Sequence, residues 1–134
     1  MASNLKYSNG TRDAQQNGLI TYAGSGCKID IYAGTQPANA NTAISTQTKL
    51  VELVVAGTFG TDSSGTITIG TVTNGTAVAS GTASFFRIFK SDGTTVVMDG
   101  SVGTVSADMI LNTTAIVLGQ TVAISAGTII RANQ

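Results

Sequence analysis

Histidine is absent from the sequence and cysteine occurs once, at Cys27. No Ser-His-Asp or Cys-His arrangement and no zinc site of the usual Cys/His kind can therefore be assembled. Carboxylates are the remaining source of acid–base chemistry. Five of the six Asp residues lie beside turn residues or in the N-terminal segment, and the only glutamate, Glu52, sits singly on an expected strand. Asp92 and Asp99 each precede Gly, where an Asp side chain supports a turn through bonds to its own backbone. An enzyme would need several of these Asp residues brought together by folding. The sequence predicts none, and with it no cofactor and no metal.

Three other patterns resolve in the same direction. Asp62-Ser63-Ser64-Gly65 offers one carboxylate where a calcium loop needs several oxygen ligands. Gly24-Ser25-Gly26 leads from an expected helix into an expected strand, the reverse of the order that aims backbone N–H groups at phosphate. The Asn-X-Thr matches at Asn9, Asn74 and Asn112 are what a chain rich in Asn and Thr gives by chance. Arg87 stands out, because it is flanked by aromatic residues on an expected strand. It either lies over an aromatic face, pairs with a carboxylate, or reaches a partner subunit. Asp99 is its natural partner only if the hairpin at Asp92-Gly93 has an odd loop count, since a one-residue change of register moves Asp99 to the other face.

The elements that must position these residues read as mainly β. A helix is expected from Ser8 or Asn9 to Tyr22, stopped by Gly24-Ser25-Gly26, although Gly10 and Gly18 each cost it about 1 kcal/mol relative to Ala. Met1 to Tyr7 then form an N-terminal arm, and residues 8–134 one domain. Cys27, Ile29 and Ile31 alternate on a half-buried strand, with Cys27 read as a small buried apolar residue. Ala33 to Thr48 contains the only proline, Pro37, and has no sustained apolar period, so it is expected to be a long surface loop. Strands are expected at Leu50–Val55, Thr66–Val72, Thr82–Lys90, Thr95–Met98, Met109–Leu111, Ala115–Leu118 and Val122–Arg131. In the fourth-named run Asp92-Gly93 forms the entering turn; in the third, Phe85, Arg87 and Phe89 point one way and Phe86 and Ile88 the other. One of those faces should meet the helix or another subunit. Seven or eight short β-branched strands, with turn signals roughly every eight to twelve residues, predict an antiparallel β-sandwich or jelly roll with one N-terminal helix.

Composition restricts the partners. Charged residues make up 10% of the 134-residue chain and its formal net charge is zero, against roughly 25% charged residues in an average soluble protein. Binding to nucleic-acid phosphates or an anionic membrane needs an excess of Lys and Arg, so neither partner is expected. One cysteine excludes an intrachain disulfide, the N-terminus lacks the apolar run of a signal peptide, and no stretch reaches the roughly eighteen apolar residues of a membrane span. A soluble protein, not exported by an ordinary signal, is expected. A weakly charged exterior near neutrality favours association with other protein subunits. The expected contact elements are the arm, with Leu5, Lys6 and Tyr7, and the long loop, with Gln36, Pro37, Asn39, Asn41 and Thr42.

From Leu5 to Ala132 the sequence resembles a family of short structural proteins of tailed phages and prophages. The segments that carry the likeness are Lys28 to Ala38, Phe85 to Gly93, Met98-Asp99-Gly100 and Ile110 to Thr114. The family looks like the capsid decoration or cement proteins, which are small β-sandwich or jelly-roll domains that oligomerise over joints between major capsid subunits. The resemblance implies a virion protein made in the bacterial host cytoplasm and located on the capsid surface. Its partners would be the major capsid protein and itself, as a homo-dimer or homo-trimer. The rival from another class is a tail, baseplate or fibre β module that binds host glycan or another tail protein. The lack of Trp and the presence of only three Tyr count against a glycan platform.

Overall fold

A computed structural model describes residues 4–130. Ser8 starts the helix α1 (Asn9–Ala23), its hydroxyl accepting the Thr11 N–H at 3.1 Å, and Gly24 ends it with φ 75°, its N–H bonded to Ile20 O. The cap and the left-handed glycine satisfy end groups that a helix leaves open. The apolar stripe is weak, so docking depends on a polar residue. Gln16 is buried, and its Nε2 donates to Gly65 O at 2.8 Å and to Ile129 O at 2.9 Å. Asp13 accepts the Gly65 N–H at 2.8 Å from the same side.

The chain then enters β1 (Lys28–Ala33), β2 (Thr48–Val55), β3 (Gly60–Ser63), β4 (Thr66–Ile69), β5 (Val72–Thr73), β6 (Gly75–Thr76) and β7 (Gly81–Thr82). It continues through β8 (Phe85–Phe89), β9 (Val96–Gly103), β10 (Met109–Leu111), β11 (Ala115–Ile116), β12 (Thr121–Val122) and β13 (Ile124–Ile130). Nine of these form one curled mixed sheet in the order β3-β4-β13-β10-β9-β8-β1-β2-β5, with α1 packed on β3 and β4. The protein is thus mainly β with one helix, as its patterning predicts.

Three expectations are corrected. The strand segments among the described residues number thirteen rather than seven or eight. The run Thr66–Val72 breaks at Gly70, because Gly70 N bonds to Phe59 O and leaves no room there for a Cβ beside Thr58 O. Its two halves, β4 and β5, lie toward opposite ends of the sheet order, so this short segment draws the ends together and curls the sheet. The sheet is also not wholly antiparallel, since β9 and β10 pair in parallel through Val102↔Met109 and Gly103↔Ile110. That short connection is held by Asp108, whose Oδ2 accepts both the backbone N–H and the hydroxyl of Ser101. Of the expected terminal elements, residues 1–3 and Arg131 lie outside the described residues, and residues 4–7 precede α1 without regular structure.

The remaining four segments make a ribbon. β6 pairs with β12 through Gly75↔Val122 and Thr76↔Thr121, and β7 with β11 through Gly81↔Ile116 and Thr82↔Ala115, two short antiparallel ladders on either side of the turn at Val117–Gln120. The ribbon lies across the inner side of β1 and β2, where Gly75 approaches Val51 and Leu53 and Gly81 approaches Leu50 and Ala33. Between them is the core, built on Ile29, Ile31, Leu53, Phe59, Phe86 and Ile88 and closed by Ala77, Ile116 and Val122 of the ribbon side. Cys27 is fully buried in it, its thiol donating to Ala23 O.

Candidate protein-interaction face

The outer face of the sheet carries most of what is chemically distinctive. Strand alternation sends Ile29 and Ile31 inward and leaves Lys28, Asp30 and Tyr32 outward on β1. Pairing then lines up one rung across four strands: Glu52 of β2, Asp30 of β1, Arg87 of β8 and Asp99 of β9. On β2 the register shifts between Ile31 and Tyr32, making Leu50 an extra residue. A bulge of this kind lets Leu50 and Val51 both be buried while Lys49 and Glu52 stay outside. Lys49 Nζ consequently reaches Asp30 Oδ2 and Glu52 Oε2, each at 3.6 Å.

Arg87 and Asp99 form a bidentate pair, Nε to Oδ1 at 2.6 Å and Nη2 to Oδ2 at 2.8 Å. Their side chains are 3% and 5% exposed. Bonding to Asp99 pushes the arginine pKa above its already high ordinary value, against the effect of burial. The pairing expected only for an odd loop is achieved by another route. The hairpin closes on an even count, Lys90 N to Thr95 O and Phe89 opposite Val96, and then Ile88 stands opposite Met98. Val97 is the additional residue, and this bulge brings Asp99 level with Arg87.

The turn itself is built as the Asp-Gly pattern predicts. Asp92 accepts the N–H groups of Thr94 and Thr95 and the Thr95 hydroxyl, which together hold its carboxyl down to about 2, and Gly93 has φ 75°. Of the outward aromatics, Phe85 is buried and stacks on Tyr32, with ring centroids 5.1 Å apart, while Phe89 is half-buried. Phe86 belongs to the core.

The loop of residues 34–47, rather than the helix, packs over this outer face. Arg87 Nη1 donates to Thr42 O at 2.8 Å. Asn39 Oδ1 accepts the Asn41 N–H, and the Thr42 N–H returns to Asn39 O. Gln47 Nε2 closes the loop base on Thr35 O at 2.7 Å, and the Ser84 hydroxyl donates to Gly34 O. Beneath the loop is an open groove of about 520 Å³ lined by Tyr32, Asn41, Ile44, Arg87, Phe89 and Val96. Gln36, Asn39, Asn41 and Thr42 are exposed and Pro37 is half-buried, and none of them carries a charge. The predicted arm residues are not part of this loop. Leu5, Lys6 and Tyr7 lead into α1, with Leu5 and Lys6 exposed and Tyr7 half-buried.

Asp30 is the residue on this face that motif reading passes over. It is 5% exposed, its Oδ2 accepts the Tyr32 hydroxyl at 3.4 Å, and its Oδ1 has no hydrogen-bond partner. Burial pushes its pKa up to about 6 in spite of Lys49, with Glu52 adding to the rise, and burial likewise pushes Tyr32 up to about 12. The available signal was the outward position of Asp30 between two inward isoleucines. No group of three or more His, Cys, Asp or Glu among the described residues is placed to hold a metal ion. No helix among them is long and apolar enough to cross a membrane. The chain matches no family model, no curated protein and no solved structure.

Proposed function

We propose that the protein is a structural subunit of a tailed-phage particle that binds across neighbouring major capsid subunits, as a decoration or cement protein, and does no catalysis. The observation that carries this reading is the loop of residues 34–47. It has no charge and no regular structure, yet it is fixed by Arg87, Asn39, Gln47 and Ser84. A pre-ordered polar loop loses little conformational freedom on docking, which is what a protein contact surface gains most from. The outward residues Gln36, Asn39, Asn41 and Thr42 supply hydrogen-bonding groups without the desolvation cost of ions. The ribbon laid over a curled sheet supports a sandwich-like relation to the small β domains that the sequence resembles. Each contact is weak, and many copies on one shell raise the effective affinity through simultaneous engagement.

Quantitative mass spectrometry of purified particles, followed by cryo-electron microscopy of the head, tests the reading. Hundreds of copies arrayed on the shell are expected. A small number of copies confined to the tail would replace it with the tail, baseplate or fibre module. The contact assignment is tested by attachment of variants to preformed capsids: replacing Gln36, Asn39 and Asn41 with Ala, or removing residues 1–7, should leave a folded chain that attaches less. Retention of full attachment by both would sink these contact elements.

A further inference from the structure

Asp30 sits in a setting that an ordinary ion pair does not explain. It is 5% exposed, and its Oδ1 has no hydrogen-bond partner. Arg87, opposite it on β8, is committed to Asp99 and to Thr42 O. Lys49 of β2 is within reach, its Nζ 3.6 Å from Asp30 Oδ2 and 3.6 Å from Glu52 Oε2. The bulge at Leu50 turns Lys49 and Glu52 to the same face as Asp30. Burial nevertheless outweighs Lys49 and biases the Asp30 carboxyl toward its protonated form, with Glu52 adding to the rise.

A buried carboxylic acid, an amine beside it and a second carboxylate touching that amine are the reactants and the proton carrier of amide formation. The amine stands close to the roughly 3–3.5 Å separation of a near-attack arrangement, and the register of β1 on β2 keeps it there. Glu52 takes a proton from the Lys49 ammonium and leaves a neutral amine. The Nζ lone pair attacks Asp30 Cγ and forms the C–N bond. Negative charge develops on Oδ2, the oxygen to which the Tyr32 hydroxyl donates. Glu52 then gives its proton to Oδ1 and takes one from the nitrogen, the Cγ–Oδ1 bond breaks, and the hydroxyl departs as water. An acid and an ammonium thus become an amide, one water and one proton released to solvent, with no other reactant. The product has a neutral amide where the carboxyl group had an unpartnered buried oxygen, which burial favours.

We propose that Asp30 and Lys49 join in an intramolecular isopeptide bond, with Glu52 as the proton carrier, linking β1 to β2 covalently at the base of the loop of residues 34–47. The ring that the bond closes runs from Asp30 to Lys49 and contains the whole loop. Closing it restricts the unfolded chain and keeps the two ends of the loop together. The inference does not depend on the capsid reading. The titration of Asp30 belongs to the chain before closure.

Mass spectrometry of the full chain, as isolated and after incubation of the folded protein near pH 6, tests the proposal. The chain should become lighter than its sequence by one water, at a rate independent of protein concentration. Trypsin needs a free lysine amine and should no longer cut after Lys49, so residues 29–87 should appear as one fragment short of one water. Lys49→Arg keeps the positive charge without the amine nucleophile and should lose no water from this region. Glu52→Gln should close about a hundred-fold more slowly or worse, with circular dichroism checking that both variants fold. Complete cleavage after Lys49 in the incubated wild-type chain would overturn the proposal. So would a water loss that maps to Asp92-Gly93 or Asp99-Gly100, or one that persists in Lys49→Arg, while closure of Glu52→Gln at the wild-type rate would remove Glu52 from the reaction.

Discussion

Removing Asp99 should be among the most damaging single changes available to this fold. In Asp99→Ala the guanidinium of Arg87 keeps its bond to Thr42 O, but Nε and Nη2 lose partners at 2.6 and 2.8 Å. With the pair only 3% and 5% exposed, water has little access to replace the carboxylate. Breaking a buried pair from one side costs about 3–5 kcal/mol, compared with about 0–1 kcal/mol for an exposed one. Arg87→Met should cost a similar amount by stranding Asp99. The double variant Arg87→Met with Asp99→Leu removes both charges and should recover most of the loss, because apolar replacements of a buried pair are often neutral or stabilising. With Asp99→Leu added as the matching single variant, urea unfolding of the wild type, Arg87→Met, Asp99→Leu and the double variant forms a double-mutant cycle that reads the coupling directly. Hydrogen exchange adds a separate readout: the double variant lacks the bond to Thr42 O, so amides of the loop should exchange faster even where global stability returns. A loss below about 1 kcal/mol in Asp99→Ala, or a double variant less stable than both singles, would refute the account of this pair.

Two further outcomes follow from packing and from Asp30. In Gly100→Ala the added Cβ would overlap the ring of Phe86, which is fully buried in the core, so the urea midpoint should fall by the equivalent of about 1–3 kcal/mol. Adding Phe86→Leu should reduce the effect of Gly100→Ala, and an unchanged effect would exclude that contact as its cause. For Asp30, a folded-state pKa of about 6 against 3.8 means that the folded chain holds this proton more tightly than the unfolded chain. Ionised Asp30 therefore opposes folding above pH 6, and the opposition fades as pH falls from about 6 to 4. Asp30→Asn should stabilise the protein at pH 7 by on the order of 2 kcal/mol and should abolish that slope. Asp92 works the other way, contributing stability that is lost as pH falls from about 4 to about 2, so the windows are separable. A wild-type minus Asp30→Asn stability difference that is flat between pH 4 and 7 would refute the assignment.

Local signals were legible wherever one short segment decides the outcome. Ser8 and Gly24 bound the helix, the alternation of Ile29 and Ile31 gives β1, Pro37 and its neighbours give the loop, and Asp92-Gly93 gives the turn. The Arg87 rung was legible only as a condition, because parity depends on where an extra residue falls and nothing in Val96-Val97-Met98 marks Val97 as the bulge. The ribbon was less legible still. Its halves, residues 75–82 and 115–122, are far apart in sequence, and each paired stretch is two residues long. Pairing at that separation leaves no period in either segment. The split of Thr66–Val72 has the same origin: an alternating run looks continuous until a distant neighbour, here Phe59 with Thr58, occupies the space at Gly70.

The two bulges explain how so few charges organise the outer face. Leu50 and Val97 are one-residue insertions on β2 and β9, strands that flank β1 and β8. One brings Lys49 within reach of Asp30, and the other sets Asp99 opposite Arg87. Two apolar side chains on that rung would have stabilised the fold at least as well as a buried ion pair. They could not have done what the planar guanidinium does, which is to hold Asp99 with two nitrogens and leave the third to bind Thr42 O. The pair is thus better understood as a positioning device for the loop than as a source of stability. The bidentate ion pair, with both side chains buried, is turned inward to fix a surface, and the loop that it fixes is itself uncharged.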